Sequence, residues 1–276
     1  MTINELRNVL STEELIEANP FKLLHDITSY VNNPETEDIG RELVLRALEQ
    51  RSLFNGYDEI LDSLTREVGL FPYLDYEKLS FKDSLAYEAH RPVTTDEAFV
   101  LHRAQAEIYR RLVDGDNVIL SAPTSFGKSR IIDSLIATGK YKNIAVVVPT
   151  IALIDETRRR LSAFKKSYKV VTQVTQEPSE RNIFVFTAER INAYENLPKI
   201  DFFVIDEFYK IGALGEDESR TVALNQAFYK LHKSGGQFYM LGPNIKHIPE
   251  GFENKFRCFF LFDSLRNSRK RNDPNI

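Results

Sequence analysis

Residues 117–129 read Asn-Val-Ile-Leu-Ser-Ala-Pro-Thr-Ser-Phe-Gly-Lys-Ser, a short apolar run that ends in a loop with glycine, lysine and serine at its close. Ala122, Pro123, Thr124, Ser125, Phe126, Gly127, Lys128 and Ser129 follow the spacing A-x-x-x-x-G-K-S, a variant of the P-loop pattern G-x-x-x-x-G-K-[ST]. Val118, Ile119 and Leu120 supply the strand. Ile131, Ile132, Leu135 and Ile136 supply the buried face of a helix opening at Lys128. A helix N-terminus offers unpaired N–H groups and the positive end of its dipole to an anion. Gly127 lets the backbone approach phosphate without a Cβ. The spacing therefore predicts Lys128 on the β- and γ-phosphates of a nucleotide and the Ser129 hydroxyl on Mg²⁺. Further on, Phe202-Phe203-Val204-Ile205 runs into Asp206-Glu207. A carboxylate at a strand end suits a Mg²⁺-linked role, and Glu207 beside it suits a general base for an attacking water. Taken alone, the pair also fits an acidic helix start after a buried strand; the loop at 122–129 favours the catalytic assignment.

These groups need a scaffold that brings two strand ends together. From residue 98 onward, strand-like and helix-like stretches alternate. Strands are predicted over 117–121, 143–148, 169–174, 182–187, 201–205, 237–241 and 257–262. Helices are predicted near 99–113, 128–138, 151–166, 188–195 and 217–234. Such alternation predicts an α/β fold with a mostly parallel sheet covered on both faces. In such sheets the ligand sits beyond the carboxyl ends of the strands, where both motifs fall. Residues 1–97 read as all-helical. Ser11-Thr12-Glu13-Glu14 and Thr36-Glu37-Asp38 resemble helix starts, Ile60, Leu61 and Leu64 recur at helical spacing, and Gly69 and Pro72 interrupt the pattern. The expected organisation is an acidic helical domain over 1–97, an ATP-binding domain over 98–265 and a polar tail or linker over 266–276.

Charge separates the same regions. Residues 1–97 carry 9 Lys+Arg against 20 Asp+Glu, a balance of −11; residues 98–276 carry 27 against 20, a balance of +7. The second region suits a polyanion and the first does not. The acidic region suits docking of a protein partner instead. No apolar run reaches the roughly 18–20 residues that span a bilayer, so no membrane association is expected. The single cysteine, Cys258, lies in an apolar run and reads as a buried, inert thiol. With no signal-type N-terminus, the expected compartment is the cytoplasm.

With these motifs placed, residues 99–245 resemble the first motor domain of superfamily 2 DExH/DEAD-box helicases, whose fold is RecA-like. Ala122 to Ser129 look like motif I, and Asp206-Glu207-Phe208-Tyr209 look like motif II. Gln105, 23 positions before Lys128, matches the glutamine of the Q-motif, which implies adenine recognition by its amide. Taken alone, Gln105 reads as a solvated residue on an amphipathic helix. Pro149-Thr150-Ile151-Ala152-Leu153 resembles motif Ia, and Thr187-Ala188-Glu189-Arg190 resembles motif Ib. The resemblance implies that Thr150, Thr187 and Arg190 contact a DNA or RNA strand through its phosphates. Arg158, Arg159 and Arg160 either join them or form a solvated basic face.

The resemblance has departures. Tyr209 stands where the family has Asp or His. Gly242-Pro243-Asn244 stands where it has Ser-Ala-Thr, so coupling of hydrolysis to strand separation is expected to differ. The family completes its clefts with a second RecA-like domain that carries an arginine finger. This chain is expected to be a fragment of a longer protein or to receive that domain from another chain. An acidic helical extension before such a motor is similar to helicases of the anti-phage system Hachiman. The expected function is the N-terminal part of an ATP- and Mg²⁺-dependent helicase or translocase. Two rival readings stay open at this point: a duplex-DNA translocase of restriction type, and a nucleotide-gated module that recruits an effector protein.

Overall fold

The structure is a computed structural model of the chain and describes residues 1–94, 96, 99–209, 218–243, 245 and 247–262. The tail expected over 266–276 lies outside the described residues. Six helices form before residue 92: α1 (Ile3–Val9), α2 (Glu13–Ala18), α3 (Pro20–Val31), α4 (Glu37–Glu49), α5 (Asp58–Glu67) and α6 (Phe81–Glu88). Local chemistry sets their starts. Thr2 and Glu5 form a capping box on α1, Asn19 caps α3 with Pro20 in its first turn, and Ser80 caps α6. The apolar stripes of α1 to α5 meet in one core around Leu24, Ile27, Leu43, Phe54 and Leu61, whereas Tyr87 of α6 packs in a separate cluster with Phe71, Leu74 and Val100. Past α5 the chain turns at Gly69, whose φ is +73°. A Cβ there would lie 2.4 Å from Cβ of Arg103, so the close approach requires glycine. Arg103 opens α7 (Arg103–Asp114).

The predicted helix near 99–113 therefore starts four residues late. Leu101 N–H donates to the His90 carbonyl instead, and Val100 and Leu101 are buried. Among the described residues the chain divides into two compact units. One comprises Met1–Pro92 with Asp96–Glu107, and the other comprises Ile108–Asp263 with the short stretch Val93–Thr95. The division falls within α7, and it counts Gln105 with the helical unit.

The second unit is α/β. Its elements in order are β1 (Asn117–Ser121), α8 (Lys128–Ala137), β2 (Asn143–Val147), α9 (Ile151–Leu161), β3 (Lys169–Val171), β4 (Asn182–Phe186), α10 (Ala188–Ala193), β5 (Phe202–Asp206), α11 (Glu218–Lys233), β6 (Gln237–Gly242), α12 (Phe252–Phe256) and β7 (Cys258–Phe262). The expectation of a mostly parallel sheet becomes a seven-stranded sheet, order β3-β4-β2-β5-β6-β1-β7, in which every pairing is parallel. Its strands are near-continuous apolar runs because both faces are covered. Phe184, Phe186, Phe203, Phe238 and Met240 are fully buried in its core. Cys258 is buried there too; burial, then the charge of Glu253, pushes its thiol up to about 11, so it stays protonated at neutral pH.

Because all strands run one way, their carboxyl ends share one edge. The register aligns Leu120 of β1, Leu241 of β6 and Asp206 of β5 in a single row. Asp206 and the start of the P-loop are thus two strand spacings apart, roughly 10 Å.

Candidate functional site

The loop between β1 and α8 begins where Ala122 N–H donates to the Gly242 carbonyl at 3.0 Å. Pro123 is extended, Thr124 to Phe126 form a single 3-10 turn, and Gly127 takes the left-handed conformation with φ 81° and ψ 27°. Phe126 is buried and anchors the turn in the core. Lys128 is the first residue of α8. Its ammonium donates to the Ala122 carbonyl at 3.0 Å, across the mouth of the loop. Burial lowers the Lys128 pKa, and the charges of Asp206 and Glu207 act on it in the opposite sense. The structure thus brings Lys128 and both carboxylates of 206–207 into one electrostatic environment.

Asp206 ends β5, and its carboxylate accepts from the Glu207 N–H at 2.9 Å. Glu207 is a non-glycine residue at φ 56°. Left-handed backbone at such a residue costs on the order of 1 kcal/mol and concentrates at functional sites. Phe208 turns back into the core, whereas Tyr209 is exposed. The oxygen donors present, the Ser129 hydroxyl and the Asp206 carboxylate, are the hard ligands that Mg²⁺ takes. Mg²⁺ binds through few protein oxygens together with substrate phosphates, so this donor set fits it.

Gly242 ends β6 beside this site. A Cβ on it would meet Cδ1 of Ile245 at 2.6 Å and Cε1 of Phe208 at 3.2 Å. Ser121 Oγ accepts from the Ile245 N–H at 2.6 Å. Where the sequence resemblance anticipates hydroxyl residues, this chain closes an apolar contact between the segment after β6 and the segment after Asp206. Asn244, the third residue of that departure, lies outside the described residues.

The proposed strand contacts lie along the same edge. β2 and β4 are neighbours, with Val147 opposite Phe186. Thr150 caps α9, accepting weakly from Leu153 N–H at 3.4 Å, and is exposed. Thr187 precedes α10 and is buried. Arg190 is half-buried, and its Nη1 donates to the Thr172 carbonyl at 2.7 Å, so part of its guanidinium already serves the fold. Among the three arginines after motif Ia, Arg158 pairs with Asp155 at 3.3 Å. Arg160 reaches from α9 to α8, pairing with Asp133 and donating to the Ser129 carbonyl at 3.3 Å. Sequence reasoning missed this link between the segment after motif Ia and the P-loop helix. The run of three arginines was the available signal, but it does not say which one turns toward α8.

Gln105 is buried, which excludes the solvated reading. Its Oε1 accepts from the His102 N–H at 3.1 Å, and its own N–H donates to His102 Nδ1 at 3.4 Å. The groups at 122–129 and 206–207 converge within the α/β unit, whereas Gln105 is held by the helical one.

Residues 1–84 match the family described as Anti-bacteriophage protein B N-terminal domain, and residues 102–233 match the DEAD/DEAH box helicases. Anti-bacteriophage protein B of Escherichia coli (strain K12) is 40% identical over 239 residues, covering 83% of this chain and 33% of that protein. Helicase POLQ-like of Caenorhabditis elegans is 26% identical over 184 residues, covering 59% of this chain and 20% of that protein. The crystal structure of the DUF1998 helicase MrfA bound to DNA and AMPPNP aligns with a TM-score of 0.42 and 15% identity, over 59% of this chain and 27% of that one. The chain spans about a third of the first relative's length and a fifth of the second's. Among the described residues, no helix is long and apolar enough to cross a membrane. Over residues 102–233 the chain is thus similar to the DEAD/DEAH box helicases, and its motifs and all-parallel sheet agree with a helicase motor domain.

Proposed function

We propose that this chain is the ATP-binding part of a nucleic-acid helicase or translocase that acts in anti-phage defence. The observation that carries the reading is the convergence of Lys128, Asp206 and Glu207 at the carboxyl edge of β1, β6 and β5. In this reading Lys128 releases the Ala122 carbonyl and binds the β- and γ-phosphates of ATP. Ser129 and Asp206 would hold Mg²⁺, which would neutralise charge on the phosphates. Glu207 orients a water and takes its proton as the water oxygen bonds to the γ-phosphorus, with ADP leaving. Thr150, Thr187 and Arg190 line a path for one DNA or RNA strand through its phosphates. The anti-phage role rests on the 40% identical relative and its name.

A second RecA-like domain, on the same or another polypeptide, completes the site with an arginine. Such a residue contributes about 10³–10⁵ in rate in P-loop enzymes, so this chain alone hydrolyses ATP slowly. The test is steady-state hydrolysis by the chain supplied with that domain, with nucleic acid present. Glu207→Gln should lower turnover by about 10²–10⁴ while ATP still binds. Unchanged turnover in that variant removes Glu207 from the chemistry and the proposed mechanism with it.

A further inference from the structure

The polar end of the α/β unit described so far is the carboxyl edge of its sheet. At the opposite edge, around the amino ends of β3 and β4, lies a cavity of about 590 Å³. It is lined by Arg158 from the last turn of α9, Lys165 and Lys166 beyond it, Lys169 at the start of β3, and Arg181 just before β4. Glu180 is its one carboxylate among the lining residues. Cations from two stretches of chain, 158–169 and 181, therefore converge on one concavity, which is not the pattern of a helix with a solvated basic stripe.

Internal contacts use only part of this charge. Lys169 Nζ donates to the Glu177 carbonyl, and Arg158 pairs with Asp155. Arg181 is fixed by Nη2 bonds to the Gly139 and Tyr141 carbonyls and the Tyr168 hydroxyl, yet its Nε is a buried donor with no acceptor. Lys165 and Lys166 are exposed. The cavity also carries three serine hydroxyls, the donor type that joins lysine and arginine on phosphate oxygens. Its volume exceeds a single phosphate group many times over. Its aromatic residue, Tyr168, is buried beneath the Arg181 guanidinium, so it offers no free face for stacking a base.

We propose that this cavity binds the phosphodiester backbone of a nucleic acid, at the sheet edge opposite the P-loop and without regard to base sequence. It extends the nucleic-acid reading above, on which it rests, by a second contact remote from Thr150, Thr187 and Arg190. The test is fluorescence anisotropy of the whole chain with a labelled duplex bearing a single-stranded tail, made once in DNA and once in RNA. The variant Lys165→Glu with Lys166→Glu is compared with Lys233→Glu with Lys255→Glu, which makes the same charge change at exposed positions outside the cavity.

The cavity variant should weaken binding about tenfold and flatten the plot of log K against log salt by ~2, the loss of two phosphate contacts. The other variant should lose no more than about threefold, and scrambling the probe sequence should change nothing. Binding of the DNA probe, the RNA probe or both in this pattern identifies the source of the backbone and supports the site. Equal losses in the two variants overturn the cavity site while leaving the nucleic-acid reading in place. Failure of the unmodified chain to bind either probe overturns the nucleic-acid reading and the cavity with it.

Discussion

The helical unit and the α/β unit spend their polar groups differently. In the helical unit, charge is consumed by the fold itself. Glu42 lies between Arg7 and Arg46 at 2.6 and 3.0 Å; burial pushes its carboxyl up, but the two guanidinium hydrogen bonds outweigh that and hold it low. Arg51 pairs with Asp58 and Asp62, and Arg66 pairs with Asp83. In the α/β unit, the sheet satisfies its backbone internally. Its polar side chains therefore collect past the strand ends, where the charges of Asp206 and Glu207 act on Lys128. A helical bundle distributes polarity over its whole surface, whereas a parallel sheet gathers it at two edges.

The largest expected effect separates the two cores. Phe54 is fully buried in the helical unit, so Phe54→Ala should cost about 3–5 kcal/mol there. Hydrogen exchange should show lost amide protection across α1 to α5 while β1, β5 and β6 stay protected. Equal loss in both regions would mean that they unfold as one, and the contrast would fail.

A smaller effect probes the other side. Gly242→Ala places a Cβ against Phe208 and Ile245. Ile245 can swing its chain end away, but the buried Phe208 ring must shift, so the α/β unit should lose about 1–2 kcal/mol. Because Phe208 follows Glu207, turnover should fall as well. A melting curve and a hydrolysis rate both unchanged would show that this contact does not couple the two segments.

Strand positions were legible in the sequence because each is an apolar run bounded by polar or turn residues, and the P-loop because its spacing is fixed by phosphate geometry. Strand order was not, since nothing in residues 258–262 says that they pair beside β1. The late start of α7 was hidden because Val100 and Leu101 carry helical-looking apolarity yet are buried with the chain paired to His90. Nor does sequence disclose that Arg190 donates to Thr172 or that Gly242 makes room for Phe208. Those roles depend on partners brought near only by the fold.

A further expected effect is one of pH. Burial, then the charges of Arg41 and His90, lower the His102 pKa from 6.5 to about 4. Between those values the unfolded chain binds the proton and the folded chain does not, so stability is full above about pH 6.5 and declines as pH falls toward 4. His102→Gln should remove that slope. Melting temperatures of the two proteins, compared at steps from pH 7.5 to 4.5, should converge toward the variant's favour on acidification. A constant difference would mean that His102 titrates normally.

The central claim is that the loop at 122–129 binds nucleotide phosphate through Lys128. One charge-assisted hydrogen bond is worth about 1.5–3 kcal/mol, which is about 10–10²-fold in affinity. Titration calorimetry of ATP with Mg²⁺ into the chain and into Lys128→Ala tests this directly. Measurable binding to the first and a loss of that size in the second are expected. Equal affinity in the two proteins would contradict the claim, because the phosphates would then be held somewhere other than this loop.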